Sequence, residues 1–266
     1  MKLTMLGTGY ANATNCYNTC FILNEKEKYF LVDGGGGNGL MRQLKEVKIN
    51  WKDIRDIFVT HKHMDHLLGV IWMVRMICQS INKGEYEGNA RIYAHAELIE
   101  IIKNIANMLL QKKETKFLDD SLQLVTIKEE QEYEIIEHKV KFFDIHSTKA
   151  KQLGFTMNIG GSEKLTCCGD EPCNKHIEKF VLNSNWLIHE AFCLHSEAEV
   201  FKPYEKHHST VKDACQLAEK LNVKNLIIYH TEDKNLEARK KLYEKEGKAH
   251  FKGNLYIPDD LETIAL

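Results

Sequence analysis

Residues 56–69 read DIFVTHKHMDHLLG. An apolar run of strand character ends at Thr60, and an apolar run of helical character starts at Leu67. Between them stand His61, His63, Asp65 and His66. No other stretch constrains the fold as strongly. In an extended segment, side chains two apart share a face, so His61 and His63 point the same way. The turn into the helix re-aims Asp65 and His66 beside them. Four titratable groups at one strand end, anchored by an apolar helix, suit metal ions better than a solvated loop. One short segment of this kind can serve two ions.

The rest of the chain supplies a frame for that junction. Strand-like runs lead, at 3–7, 19–23 and 29–33, and the DGGGGNG stretch at 33–39 reads as a turn because glycine takes positive φ freely. A helix-like stretch over 40–47 precedes DIFVT. Helical spacing of Leu67, Val70, Ile71, Val74, Ile77 and Ile81 predicts a helix over 67–82, ended by Gly84. A strand at 91–94 and a helix over 96–111 follow. Residues 121–169 are β-rich. NWLIHEAF and NLIIYH flank a helix over 210–221 carrying Val211, Ala214, Cys215, Ala218 and Leu221. The pattern predicts an α/β fold of four layers, two packed mixed sheets with helices on the outer faces.

With 266 residues, 43% of them hydrophobic, only 3 prolines and no linker-like stretch, one domain over 1–266 is expected. The formal charge of −2 carries no strong nucleic-acid-binding signal. No apolar run of membrane-spanning length and no leader-like N-terminus occur, so no membrane partner and a cytoplasmic location are expected. In that compartment the 8 cysteines, including the cluster Cys167, Cys168 and Cys173, read as reduced structural thiols.

Two ions need more ligands than one segment holds. His146 follows VKFFDI, Asp170 follows KLTCCG and His230 follows NLIIY. Each is a metal-competent residue at the C-terminal edge of a predicted strand. In HEAF, His189 and Glu190 alternate, so only one of them faces the site. Lys149 and Lys151 lie near His146 and are candidates for a phosphate contact. His95, His138, His176, His195, His207 and His250 have no partner pattern.

HKHMDH with His146, Asp170 and His230 resembles the metallo-β-lactamase superfamily. MLGTGYANATN, FLVDGGGGNG, CCGDEPC, LIHEAF, HHST and IIYHTED resemble its ribonuclease Z-like branch. The resemblance spans nearly the whole chain. It implies the metallo-β-lactamase fold and two Zn2+, with Mn2+ or Fe as alternatives that nitrogen and oxygen ligands also accept. By the resemblance His61, His63 and His146 hold one ion, Asp65, His66 and His230 hold the second, and Asp170 bridges. Two ions ~3.5–4 Å apart would share a hydroxide and clamp the oxygens of an in-line displacement. The resemblance gives three residues catalytic roles: Asp65 orients water, and Glu190 supports His208, which protonates the leaving oxygen. The competing role for His208 is to cap the helix near Thr210, for which Ser209 or Thr210 is chemically better suited.

The chain departs from tRNA-processing ribonuclease Z in one interval. Those bacterial enzymes commonly carry a long arm between the third metal histidine and the bridging aspartate. Here residues 146–170 are filled by LGFTMNI, the turn GGSE and KLTCCG. The expected activity is therefore hydrolysis of small or cyclic phosphodiesters or RNA ends. tRNA 3′ processing is the first alternative, and a lactonase or thioesterase of the same fold the second. A redox protein and a scaffold with a dead site are disfavoured: the first usually shows H-x-E, and the second loses ligands. A homodimer is implied by the resemblance alone.

Overall fold

The computed structural model describes residues 1–266. In chain order the strands begin with β1 (Lys2–Gly7), β2 (Cys20–Glu25), β3 (Lys28–Val32), β4 (Ile54–Phe58), β5 (Ala90–Ala94), β6 (Leu122–Thr126) and β7 (Glu132–Ile135). They continue with β8 (His138–Asp144), β9 (Leu153–Gly160), β10 (Glu163–Cys167), β11 (Trp186–Glu190), β12 (Asn225–Tyr229), β13 (Asn254–Tyr256) and β14 (Thr263–Ala265). The helices are α1 (Gly39–Glu46), α2 (Met64–Asn82), α3 (Ala96–Leu109) and α4 (Lys112–Thr115), then α5 (Glu178–Val181), α6 (Ala198–Phe201), α7 (Val211–Lys220) and α8 (Arg239–Gly247).

The strands make two seven-stranded mixed sheets, ordered β14-β1-β2-β3-β4-β5-β6 and β13-β12-β11-β10-β9-β8-β7. Three apolar layers hold them. Between the sheets, Phe21, Phe30 and Phe58 of the first meet Phe142, Phe155 and Tyr229 of the second. Outside the first sheet, Leu40, Val70, Val74 and Ile102 from α1, α2 and α3 cover its other face. Outside the second, Val211, Ala214, Ala218 and Tyr243 from α7 and α8 do the same. The order helix, sheet, sheet, helix is the four-layer arrangement expected from the sequence.

Burial on both faces explains why β11 and β12 read as continuous apolar runs. β3–β6 run parallel to one another, as do β10–β13, and β8 is antiparallel to β9, which is antiparallel to β10. The chain therefore leaves β8, β10, β11 and β12 at one edge of the second sheet, and β3 and β4 at one edge of the first. Polar residues that follow those strands gather there.

The sequence reading passed over six elements, the short helices α4, α5 and α6 among them. α8 buries Arg239, Tyr243 and Gly247, a helical stripe without an aliphatic residue. β14 closes the first sheet by pairing with β1, and β13 extends the second beside β12. The expected helix over 96–111 ends at Leu109, and a separate short turn of helix, α4, follows it.

Candidate metal centre

Strand β4 delivers the HKHMDH segment. Thr60 Oγ1 lies 2.9 Å from His61 Nδ1, which turns His61 Nε2 inward to 2.8 Å from His63 Nδ1. The two imidazoles share a face, as the extended spacing requires. His63 then starts α2, whose first turn carries Asp65 and His66. His66 Nε2 lies 3.3 Å from Asp65 Oδ2 and 3.6 Å from Asp170 Oδ2. Asp170 Oδ2 also stands 3.6 Å from His61 Nε2 and 3.6 Å from His230 Nε2. His230 Nε2 is 3.7 Å from Asp65 Oδ2. Asp170 thus sits between the His61 side and the His66–His230 side, where the resemblance puts the bridging ligand.

A repeated backbone conformation marks the strand ends around the centre. Asp33, His146, Gly169 and His230 follow β3, β8, β10 and β12, and all four have left-handed backbones, with φ of 58°, 57°, 76° and 56°. Such a residue turns the chain sharply out of the strand, and non-glycine residues hold it at a cost. His230 is kept there by its neighbour: Thr231 N donates to Thr8 O, and Tyr10 N donates to Thr231 O.

Asp33 was read only as the start of a glycine turn. It accepts Thr60 N at 2.8 Å and Thr60 Oγ1 at 2.8 Å, and its Oδ2 lies 2.7 Å from His66 Nδ1. It therefore sets the orientation of His66 and of the strand end before His61. The glycines that follow permit this. A Cβ on Gly69 would lie 1.8 Å from Gly34 O, so α2 can approach the β3 turn only as bare backbone. Gly34 N donates to His66 O across that contact. The sequence signal was present in FLVDGG, but flexibility was the wrong reason for Gly34: close approach is what the position demands.

Removing Asp33 gives a direct test. Asp33→Ala should weaken metal binding about 10–100-fold, the usual effect of losing a partner behind a ligand, in chelator competition. Unchanged affinity would leave Asp33 a fold residue only.

On the other side Glu190, fully buried, accepts Ser209 N at 2.7 Å, and its Oε2 lies 3.5 Å from His208 Nδ1. His189 faces away: its Nε2 accepts Cys173 N at 3.0 Å and its Nδ1 lies 2.6 Å from Glu190 O. The alternation expected for HEAF holds, with Glu190 on the site side. His208 does not cap α7; Thr210 does, with Asp213 completing a capping box.

His146 is the residue the structure does not bring in. It is exposed, with its ring centroid 5.0 Å from that of His176; like His63 it belongs to none of the clusters of convergent donor atoms, but unlike His63 it has no contact with His61. Those clusters are His61–His66–Asp170, Asp65–His66–His230 and Glu190–His208–His230. Of the two flanking lysines, Lys151 pairs with Glu129 and Asp144, while Lys149 is exposed.

The charge states follow from burial and neighbours. Burial pushes His61 well below the ordinary histidine range and lowers His63. Burial opposes charge on Asp170, yet His61, His66 and His230 hold its carboxyl well below the ordinary range. Asp65 is lowered too, by His66 and His230 against its burial. Burial also opposes charge on His66, but Asp65 and Asp33 raise it well above the ordinary range. A cation arriving at His66 Nε2 must displace a proton.

The donor set fits divalent metal ions. Of nine buried side-chain atoms without a hydrogen-bond partner, five are here: His66 Nε2, His230 Nδ1 and Nε2, Glu190 Oε2 and His208 Nδ1. Native proteins leave few such atoms without a reason. Imidazole nitrogens and carboxylate oxygens converging without a partner are a ligand shell of the kind zinc takes.

Ribonuclease Z of Pyrococcus abyssi (strain GE5 / Orsay) is 28% identical over 310 aligned positions, covering 99% of this chain and 95% of that protein. At least 44 of those 310 positions face gaps in the 266 residues here. The metallo-β-lactamase fold protein YhfI from Bacillus subtilis superposes with a TM-score of 0.78 at 17% identity, covering 99% of this chain and 98% of that one. A diphosphatase from the PhnP family superposes with a TM-score of 0.71 at 17% identity, covering 100% and 97%. The fold is therefore the metallo-β-lactamase fold, and the expected kinship with ribonuclease Z holds. The family model described as anti-Pycsar protein Apyc1 matches residues 1–254, and the chain belongs to that family.

Proposed function

We propose that the chain is a binuclear metal-dependent phosphodiesterase acting on small or cyclic phosphodiesters, cyclic nucleotides among them. His61, His63, Asp65, His66, Asp170 and His230 would hold the two ions, and His146 would complete the first by turning in from its place beside His176. Bound there, Zn2+, or Mn2+ or Fe in its place, would polarise a phosphoryl oxygen and make a water more acidic. The protein's own groups divide the remaining tasks. Asp65, buried and held ionised by His66 and His230, would orient the attacking water. Glu190 orients His208 through Nδ1. His208 Nε2 then carries the proton that the leaving oxygen takes.

The observation that carries the substrate reading is the 146–170 interval. β9 and β10 pair directly through a turn at Gly160 and Gly161, with no segment left to grip a large RNA. RNA ends or tRNA 3′ processing is the second reading, favoured by the ribonuclease Z relatives themselves. The lactonase or thioesterase alternative has less support, because neither ester chemistry calls for the Glu190–His208 pair.

Metal analysis with a turnover panel separates the three. Cyclic nucleotides and bis(p-nitrophenyl) phosphate should be hydrolysed, with pre-tRNA and lactones at least about 100-fold slower, a gap of roughly 2.7 kcal/mol in barrier. Faster cleavage of pre-tRNA would sink the small-substrate reading.

A cytoplasmic location is part of the same reading. No helix is long and apolar enough to cross a membrane. A homodimer is part of the same reading, and exposed Met64, Met108 and Leu109 on α2 and α3 offer apolar surface for a second copy to cover.

A further inference from the structure

We propose that Glu171 is a positioning residue for His146 and acts on it through Ser147. The inference rests on the reading of His146 as a ligand of the first ion. Ser147 follows His146, and Glu171 follows Asp170. Ser147 Oγ donates to Glu171 Oε1 at 2.7 Å, so the loop that carries His146 is fastened beside the shared carboxylate. The next residue ties the same loop to the other side of the site. Thr148 Oγ1 lies 3.0 Å from His207 Nδ1, and His207 is the neighbour of His208.

Glu171 is buried, a place that carboxylates rarely take without a partner. Its bond to Ser147 shapes the loop. The hydroxyl that donates to Glu171 accepts from Lys149 N at 3.1 Å and from Ala150 N at 3.3 Å. With its one proton committed to the carboxylate, its lone pairs are left for those amides, and the chain folds back over 147–150. The other side of His146 is held as well. His146 N donates to Asp144 Oδ1 at 2.7 Å, and Asn174 Nδ2 donates to Ile145 O at 2.7 Å. The backbone of His146 is therefore pinned before and after it, at a left-handed φ of 57° that a non-glycine residue keeps only under such constraint.

The ring is not pinned. It is exposed beside His176. A fixed backbone with a free side chain leaves rotation of the ring as the way in to an ion, which orders far less of the chain than refolding a loop would. Glu171 supplies the fixed part. Two other routes run from Glu171 to the ions: its chain neighbour Asp170, and its own charge. The test separates all three.

Zinc retention by the full chain is measured against a chromophoric chelator. Glu171→Ala and Ser147→Ala should each weaken it about tenfold, and the double variant no further, because the same route is cut twice. In a His146→Ala background, Glu171→Ala should add nothing. Glu171→Gln keeps an acceptor for the Ser147 hydroxyl and should retain zinc as the wild type does. In the metal-free protein, the Lys149 and Ala150 amides should exchange with deuterium faster in Glu171→Ala, with those of α2 unchanged. Additive losses in the double variant, or a further loss on top of His146→Ala, would overturn the proposal in favour of an effect on Asp170. A Glu171→Gln variant as weak as Glu171→Ala would overturn it in favour of charge. Unchanged exchange at Lys149 and Ala150 would also decide against it. Wild-type retention in Glu171→Ala alone defeats this inference and leaves the ligand reading of His146 standing. Wild-type retention in His146→Ala, or no zinc in the wild type, defeats that reading and this role with it.

Discussion

Replacing His208 with alanine is expected to lower kcat for a cyclic phosphodiester about 10²–10⁴-fold, the range for a lost general acid, with metal content unchanged. The basis is geometric. His208 Nδ1 stands 3.5 Å from Glu190 Oε2, and neither atom has another partner. Catalytic hydrogen bonds of this kind often tighten only when substrate arrives. His208 is also separable from the fold: Thr210 caps α7 and Ser209 holds Glu190, so neither structural task falls to the imidazole. The leaving group supplies the discriminating readout. An alkoxide needs the proton, whereas p-nitrophenolate departs without it. His208→Ala should therefore retain much more activity on bis(p-nitrophenyl) phosphate than on a cyclic nucleotide. Equal losses on both, or loss of metal, would show that His208 is a ligand or a scaffold residue.

Much of this was legible in the sequence because the informative residues sit where periodicity changes. A strand pattern that stops at Thr60 and a helix pattern that resumes at Leu67 leave HKHMDH with one geometry. His230 and Asp170 were legible because each follows an apolar run. What stayed hidden depends on contacts across the fold. Asp33 looks like a turn residue until Thr60 and His66 are brought to it by β4 and α2. Gln152, which donates to Asp170, sits in an unremarkable KQLG stretch. α8 escaped because its buried stripe pairs an arginine with a tyrosine. Fully buried Arg239 donates to Thr8 Oγ1, Thr231 Oγ1 and Pro258 O, contacts no local pattern can announce. His146 marks the reverse limit: its position after β8 was read correctly, but its ring lies beside His176 and outside the clusters of convergent donors.

Asp170→Asn should have the broader effect. The carboxylate lies 3.6 Å from each of three imidazoles, on His61, His66 and His230. An amide keeps the shape and the contact with Gln152 but withdraws the charge. Metal affinity should fall by at least about 100-fold, the upper end for removing even an outer partner, and turnover of every phosphodiester should fall together. The metal-free protein adds a second readout. Neighbouring histidines hold the Asp170 carboxyl well below its ordinary value, so its contribution to stability is present above the unfolded carboxyl pKa of about 3.9 and is lost as pH falls through the folded value. Wild type should therefore unfold at higher urea than Asp170→Asn near neutral pH, and the gap should close in strong acid. A variant that loses metal yet shows the same urea midpoint at all pH values would leave Asp170 a ligand but remove its part in holding the metal-free cluster together.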